Sequence, residues 1–549
     1  MPSIHVSKKT STWLVVLFFL VLTSLGLFTS SDYGQPWDEP WEQDILRLNL
    51  NQYAATLGLS SQLTSHSSMP WPQSGLIADS VEKDHGECAY YPTYWLMQDH
   101  SLPTGTAMTI WHAYTWLLFM TGAVALWFIS RRLGLSRLLS CVATLFLVLS
   151  PRMFAEGHYN NKDVVLLALV LLTLWQALRL MEKPTFPRAL FFSLAGAAAT
   201  NTKIIGLLVW GLCALAVLIR QIAGKRMNRR VWLIGLVSLL SFFGFYTLVT
   251  PALWTDPAGY LGYVLGNAAN FSRWENYVLF RGAIYHLKNV DLPRSYLPYM
   301  ILVTTPLWLC LLIGLGQLFA VTRFVILRKK PFADDTGMAL LLLTLLWLFP
   351  LAYDFIVQPT IYNGWRHFYF IFGPMLALAA YGLQRTGDWF RQMKSPVFYR
   401  IGAGALGICM AFTGTQIVIS HPNQYTYYNA VVGNRSNLST YLELDYWNVS
   451  VLATLRSLLR EIDSNEQKTI TGSDYASQTG LISAYALLSS TEQGKLRVLP
   501  QGSLGSKYVL VNSTYATLNY WKPQKNMQIV VETSSFGQML SMVYQRTGK

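Results

Sequence analysis

The sequence predicts a polytopic α-helical membrane protein that carries a small α/β domain outside the bilayer. Three observations carry this. Hydrophobic residues make up 52% of the chain and charged residues 13%, with a mean hydropathy of +0.30. About eleven apolar segments have spanning or near-spanning length, with up to thirteen as the upper count. After His421 the apolar density falls, and short helix-like and strand-like runs alternate.

The apolar segments lie at about 12–30, 107–130, 137–150, 163–181, 189–200, 203–221, 231–250, 297–322, 338–355, 367–384 and 400–420. The first follows Lys8 and Lys9, is long for a signal-peptide core and precedes no clean cleavage site. It reads as an uncleaved anchor with a cytoplasmic N-terminus. Connections then alternate in charge. Lys8, Lys9, Arg131, Arg132, Arg137, Arg179, Lys183, Arg188 and the basic clusters within 220–230, 323–330 and 385–400 place 21 of the 42 Lys and Arg residues on one side. The positive-inside rule makes that side cytoplasmic. The same rule divides 189–221 into two short passes that break near Asn201 and Lys203, with Lys203 at the outer end of both.

The outward side receives loops 31–106 and 251–296, short connections at 151–162 and 356–366, and everything beyond residue 420. A transmembrane domain at 1–420 and an extracytoplasmic α/β domain at 421–549 follow. In the first loop Pro40 suits a helix start, Asp38 or Glu39 suits its cap, and Trp41, Ile45 and Leu48 recur at helical spacing. This predicts an amphipathic helix lying on the membrane. A second interfacial stretch is expected at 271–277. Beyond 421, helices are expected near 451–462 and 481–488, and strands near 508–511 and 527–531.

Several function classes lose support. The net charge of +14 invites a nucleic-acid reading, yet the basic residues follow topology instead of gathering on a soluble face, so no nucleic-acid partner is expected. Five cysteines, four of them inside apolar runs and none in a CxxC pair, fit neither a disulfide framework nor a zinc site. No Walker A, GxGxxG, HExxH or GxSxG motif occurs.

What remains is a set of polar residues at the outward ends of apolar segments, where ionisable groups are expensive. Ten acids and two basic residues fall between Asp32 and Asp99 in an otherwise basic protein. Asp38 and Glu39 are the candidate general bases, and either also suits helix capping. Glu42 lies one turn further on. A second cluster runs from Ser150 to Asp163 and includes Arg152, Glu156, His158, Asn160, Asn161 and Lys162, with Asp163 also placed to cap the next helix. The third set is cationic. Lys203, Arg366 and His367 offer a point charge, a planar fork and an imidazole to an anionic group, and a helix starting near 367 would add its dipole.

In order along roughly residues 12–445, the stretches Trp37-Asp38-Glu39, Ser150-Pro151-Arg152 through Asn160-Asn161-Lys162-Asp163, Ala199 to Lys203, Thr304-Thr305-Pro306, Trp365-Arg366-His367 and His421 to Tyr425 resemble one family. It is glycosyltransferase family 39 of the GT-C fold, which includes the protein O-mannosyltransferases and is related to the lipid A aminoarabinose transferases. The resemblance implies a polyprenyl- or dolichyl-phosphate-linked sugar donor, used among membrane lipids on the outer face without nucleotide, while the modest size and the absence of an internal-membrane retention signal point to a bacterial plasma membrane. It implies Asp38 or Glu39 as base, Asp163 as a further catalytic acid, and Lys203 and Arg366, with His367 beside them, at the donor phosphate. Glu42, His158 and Asn161 are candidate pocket residues. No metal is required, although the first-loop acids leave room for Ca²⁺ or Mg²⁺. The β-trefoil domain of the O-mannosyltransferases has no counterpart here, which weakens a protein acceptor and leaves lipid, glycan or protein open. The competing expectation is a transporter or flippase of a lipid-linked substrate.

Overall fold

The computed structural model describes residues 8–59, 75–97, 101–269, 276–325, 330, 332, 334–393, 396–433, 437–461, 467–513 and 521–547. Most of the second expected interfacial stretch, 271–275, lies outside the described residues. Each apolar segment becomes a helix. They are α1 (Lys8–Thr29), α3 (Thr104–Arg132), α4 (Arg137–Val148), α6 (Asp163–Glu182), α7 (Phe186–Thr202), α8 (Ile205–Ala223), α9 (Arg229–Val249), α12 (Leu307–Phe324), α13 (Asp335–Val357), α14 (Phe372–Gln392) and α15 (Pro396–Ile419). Between them stand α2 (Glu39–Thr56), α5 (Pro151–Tyr159), α10 (Pro257–Ala269) and α11 (Tyr296–Thr304).

Among the described residues, eight helices are individually long and apolar enough to cross a membrane, against the eleven expected. The three that fall short do so for different reasons. The helix α4 has only 12 residues and continues into α5 through a 72° bend, the pair together making a ninth candidate. The helix α7 has 17 residues and packs against α6 and α9. The last turns of α14 carry Arg385, Asp388 and Arg391. The segment at 297–322 also differs, because Pro306 lacks an N–H and forces Thr305 into an extended conformation, separating α11 from α12. Asn429 satisfies the carbonyls exposed there, its Nδ2 donating to Leu302 O at 2.6 Å and Thr305 O at 2.7 Å.

The bundle is tightest where α12 crosses α14. A Cβ on Gly316 would stand 1.9 Å from the Leu378 carbonyl oxygen, so only glycine permits this backbone approach. At the other extreme, only 6% of α1's apolar window is buried.

The first-loop helix α2 is not a surface helix. Both its polar and its apolar faces are buried, among them Glu39, Gln43, Asp44, Arg47 and Asn49 as well as Ile45, Leu46 and Leu48. The 77–79 and 88–97 turns of the same loop cover it together with the 251–253 turn from far along the chain.

The C-terminal region contains α16 (Ser450–Glu461), α17 (Tyr475–Leu487), α18 (Ser490–Gly494) and a five-stranded sheet. After the hairpin β1 (Tyr277–Phe280) and β2 (Ala283–His286), the strands are β3 (Lys468–Gly472), β4 (Leu496–Val498), β5 (Tyr508–Asn512), β6 (Met527–Ser535) and β7 (Gln538–Arg546). Their order is β4-β3-β5-β7-β6, with β3 parallel to both β4 and β5 and the last pairs antiparallel. Expected α16, β5 and β6 are present, α17 begins earlier than expected, and β3, β4 and β7 were not foreseen.

Candidate active site

A cavity of about 1360 Å³ lies where the first loop, the ends of several helices and the C-terminal domain meet. Asp38, Glu42, Lys203, Arg366 and His367 line it. Another pocket, beside Arg294 and Gln358, has only about 30 Å³, enough for a water-sized occupant.

Arg366 is the hub. The turn that delivers it contains Asn363 and Gly364, both at positive φ (54° and 75°), and the Gly364 N–H donates to Tyr296 Oη at 3.0 Å. Arg366 then sits on a 3-10 turn spanning Arg366–Ile371, and α14 starts only at Phe372, one turn later than expected. Its guanidinium lies 5.1 Å from each of the Tyr362 and Trp447 ring centres. Arg366 Nη1 donates to Asp38 Oδ2 at 2.6 Å and approaches Asp163 Oδ2 at 3.5 Å, while its Nε has no partner. Burial works against the charge, but Asp38 and Asp163 outweigh it and hold the pKa well above the usual arginine value.

The two carboxylates are held differently. Asp163 is 1% exposed, accepts from the Lys203 ammonium, and accepts from Asn160 Nδ2 at 3.4 Å. Its own N–H donates to Asn160 Oδ1 at 2.8 Å, which fixes the start of α6. Asp38 has a side chain 33% exposed and occupies the cap position of α2 without a side-chain capping bond. Its oxygen is therefore turned toward Arg366 and the cavity.

Lys203 ends α7 in an extended conformation and places its ammonium on Asp163. Burial lowers its pKa and Asp163 offsets only part of that. His367 is pushed well below its usual value by burial and by Lys203 and Arg366, so its imidazole is neutral.

Asp163 lies behind the cavity wall, and three other expected residues also lie off the cavity. Glu39 is fully buried and faces His112, whose Nε2 is 3.2 Å from Glu39 Oε2, and burial raises its pKa despite that histidine. His158 is stacked between Trp116 and Tyr33 at 4.5 and 4.4 Å, with Nδ1 2.9 Å from Phe154 O and Nε2 3.1 Å from Gly26 O. It joins α5 to α1. Asn161 is buried, and its Nδ2 has no partner.

Glu42 pairs with Lys162, a residue given no separate role by the sequence. Glu87 joins them. Burial and then the neighbouring Glu42 raise its pKa well above the carboxylate range. Burial pulls Lys162 down, but Glu42, Glu82 and Glu87 together hold its pKa above normal. Glu82, Asp84 and His85 bring one ligand atom each within 4.8 Å of one another, the described group that metal geometry would favour. Lys162 Nζ lies 3.4 Å from His85 Nδ1, which already places a cation at that position.

Glu443, Tyr446, Trp447, Asp474 and Tyr475 complete the wall from the C-terminal side. No spacing rule singles them out, because they reach the cavity through folding of the most distant part of the chain. Burial pushes Glu443 up to about 8, with hydrogen bonds at Leu279 and Asn363 and the Arg366 charge opposing it.

No protein-family model and no curated protein sequence matches the chain. Solved structures do. The chain is similar to ArnT from Cupriavidus metallidurans bound to undecaprenyl phosphate, at 12% identity and a TM-score of 0.46, covering 97% of this chain and 98% of that one. It is also similar to the Archaeoglobus fulgidus oligosaccharyltransferase in the apo form, at 11% identity and a TM-score of 0.47 over 92% and 70% of the two chains. A third is the mycobacterial arabinofuranosyltransferase AftD, at 14% identity and a TM-score of 0.42 over 100% and 42%.

Proposed function

We propose that the chain is an integral-membrane glycosyltransferase that moves a sugar from a polyprenyl-phosphate carrier to an acceptor nucleophile. The observation that carries this is the division of labour around Arg366. A buried arginine and a lysine, both anchored by Asp163, border a cavity into which a second, half-exposed carboxylate projects. The cavity also has an apolar wall from Ile204, Ile205 and Leu208 beside Lys203 and from Phe349 and Pro350 of α13, suited to a lipid chain. Charge alternation favours an orientation with the cavity on the outer face of the plasma membrane.

In this reading the donor phosphate approaches Arg366 on its unpartnered Nε edge and draws the guanidinium from Asp38. Asp163 stays in place, because Lys203 and Asn160 also hold it. Asp38 then takes the proton of the acceptor hydroxyl, the acceptor oxygen bonds to the anomeric carbon, and the bond from that carbon to the phosphate oxygen breaks with inversion. The electron pair leaves on the phosphate, where Arg366 and Lys203 stabilise it. The cation pair and base need no metal for this step.

The test is transfer by the purified full chain supplied with polyprenyl-phosphate sugars. Asp38→Asn is expected to reduce kcat by about 10²–10⁴-fold, the usual worth of a general base. Full activity in a folded Asp38→Asn protein would sink the assignment. Movement of the lipid across the bilayer without sugar transfer would favour the flippase instead.

A further inference from the structure

The C-terminal sheet brings a specific edge to the cavity. From β3 the chain leaves through α17 and α18 to β4 on one side, whereas β5 leads to β7 and β6 on the other. The carboxyl ends of β3 and β5 therefore form a topological switch point, the place where open α/β sheets hold ligands. The residues that follow β3 there, Asp474, Tyr475 and Ala476, line the cavity.

Their chemistry is unlike that of the cationic end. Tyr475 is 64% exposed although it opens a helix with a buried inner face. Trp37, which also lines the cavity, meets the Tyr475 ring at 5.6 Å with 67° between the planes. The two rings form an aromatic corner from parts of the chain more than four hundred residues apart. Beside it, Asp474 is fixed by capping α17, its Oδ1 accepting from Ser477 N–H at 2.9 Å. Its Oδ2 also accepts from the Ser473 hydroxyl at 3.4 Å, so a sugar hydroxyl would share a carboxylate that offers about four acceptor positions.

We propose that this corner is the acceptor subsite and that it takes a saccharide ring. A pyranose has apolar C–H faces, which lie against aromatic rings, and hydroxyls at its rim, which donate to a carboxylate. An extended peptide lacks an apolar ring face rimmed by hydroxyls, and β3, paired on both sides, offers it no free ladder. The assignment of this ligand as acceptor rests on the transferase reading, but its binding does not. The saccharide can come from a free glycan or from a glycolipid headgroup.

The experiment is saturation-transfer NMR on the full chain in detergent micelles. The probes are methyl glycosides of glucose, galactose, mannose and N-acetylglucosamine, the octyl glycosides of the same sugars, and N-acetylserine methylamide. At least one sugar is expected to receive saturation on its ring protons. Tyr475→Ala is expected to weaken its affinity about tenfold, the loss of one aromatic face, whereas Tyr475→Phe restores it. Asp474→Asn keeps the ring and is expected to weaken hydroxyl-rich sugars selectively. Binding of methyl glycosides identifies a free glycan source, and binding of octyl glycosides alone identifies a headgroup. Absence of sugar binding by the wild-type chain, binding indifferent to Tyr475→Ala, or Tyr475-dependent binding of the serine derivative alone would each overturn the proposal. Wild-type cleavage of a polyprenyl-phosphate sugar, measured in parallel, reads the transferase assignment separately. Sugar binding without donor cleavage removes that assignment and keeps the subsite, and the reverse result removes the subsite alone.

Discussion

Arg366 and its two carboxylates show how residues of one type acquire different tasks. Asp163 is buried under three polar neighbours, whereas Asp38 has one strong partner and a route to the cavity. Arg366→Lys retains charge but loses the fork and the stacking between Tyr362 and Trp447. It is expected to raise the donor KM about tenfold or more, measured with the same polyprenyl-phosphate sugar, and an unchanged KM would count against phosphate contact. Glu443 gives a pH prediction. Its pKa in the folded chain is raised from 4.5 to about 8, so the native state holds an extra proton between those values. That stabilisation is complete below about 4.5 and is lost as pH rises through about 8. Ionisation there also places a negative charge in the cavity, so donor KM is expected to climb above pH 8. Glu443→Gln should flatten that rise, and a profile identical to wild type would exclude Glu443 as its source.

At the scale of elements, the crossing of α12 and α14 is the least forgiving contact. Because the atom facing Gly316 is a backbone oxygen, Gly316→Val cannot be absorbed by a side-chain rotation. It is expected to cost about 1–3 kcal/mol, read as a lowered Tm in detergent, and an unshifted Tm would contradict the crossing. The helices themselves were readable in the sequence because run length and charge at the ends decide them locally. The break at Lys203 was readable for the same reason. Burial of α2 was not, since its covering segments come from elsewhere in the chain and its own residues include Glu39, Asp44 and Arg47. Nor could the sequence separate Asp38 from Glu39. Adjacent helix positions point about 100° apart, and only the location of His112 and Arg366 shows which one faces the cavity.

For the whole molecule, Asp445 ties three regions together. Its carboxylate accepts from Tyr425 at the exit of the last helix, from Val449 N–H at 3.0 Å ahead of α16, and from Asn512 Nδ2 at 2.8 Å on β5. Asp445→Ala is expected to lower stability by roughly 1.5–3 kcal/mol or more, the worth of a hydrogen bond to a charged group. Since this domain supplies Trp447 and Tyr475 to the cavity wall, transfer should fall with it. Thermal unfolding and activity measured on one preparation check the coupling, and a destabilised but fully active variant would refute it. This dependence was invisible in sequence because no local pattern relates Asp445 to Tyr425 or to Asn512.

The loosely packed α1 sets an order of events during synthesis. Its end is secured by Asp32, whose carboxylate meets His421 Nε2 at 2.9 Å, a partner 389 residues downstream. At about 5–20 residues per second, translation reaches that partner roughly 20–80 s later. Well before then α3 and α5 supply its inner contacts, the Trp116 ring against Gly26 and His158 Nε2 at 3.1 Å from Gly26 O. The inner contacts of the first helix are thus available early, and it is the closure of the loop it leads into that waits for nearly the whole chain.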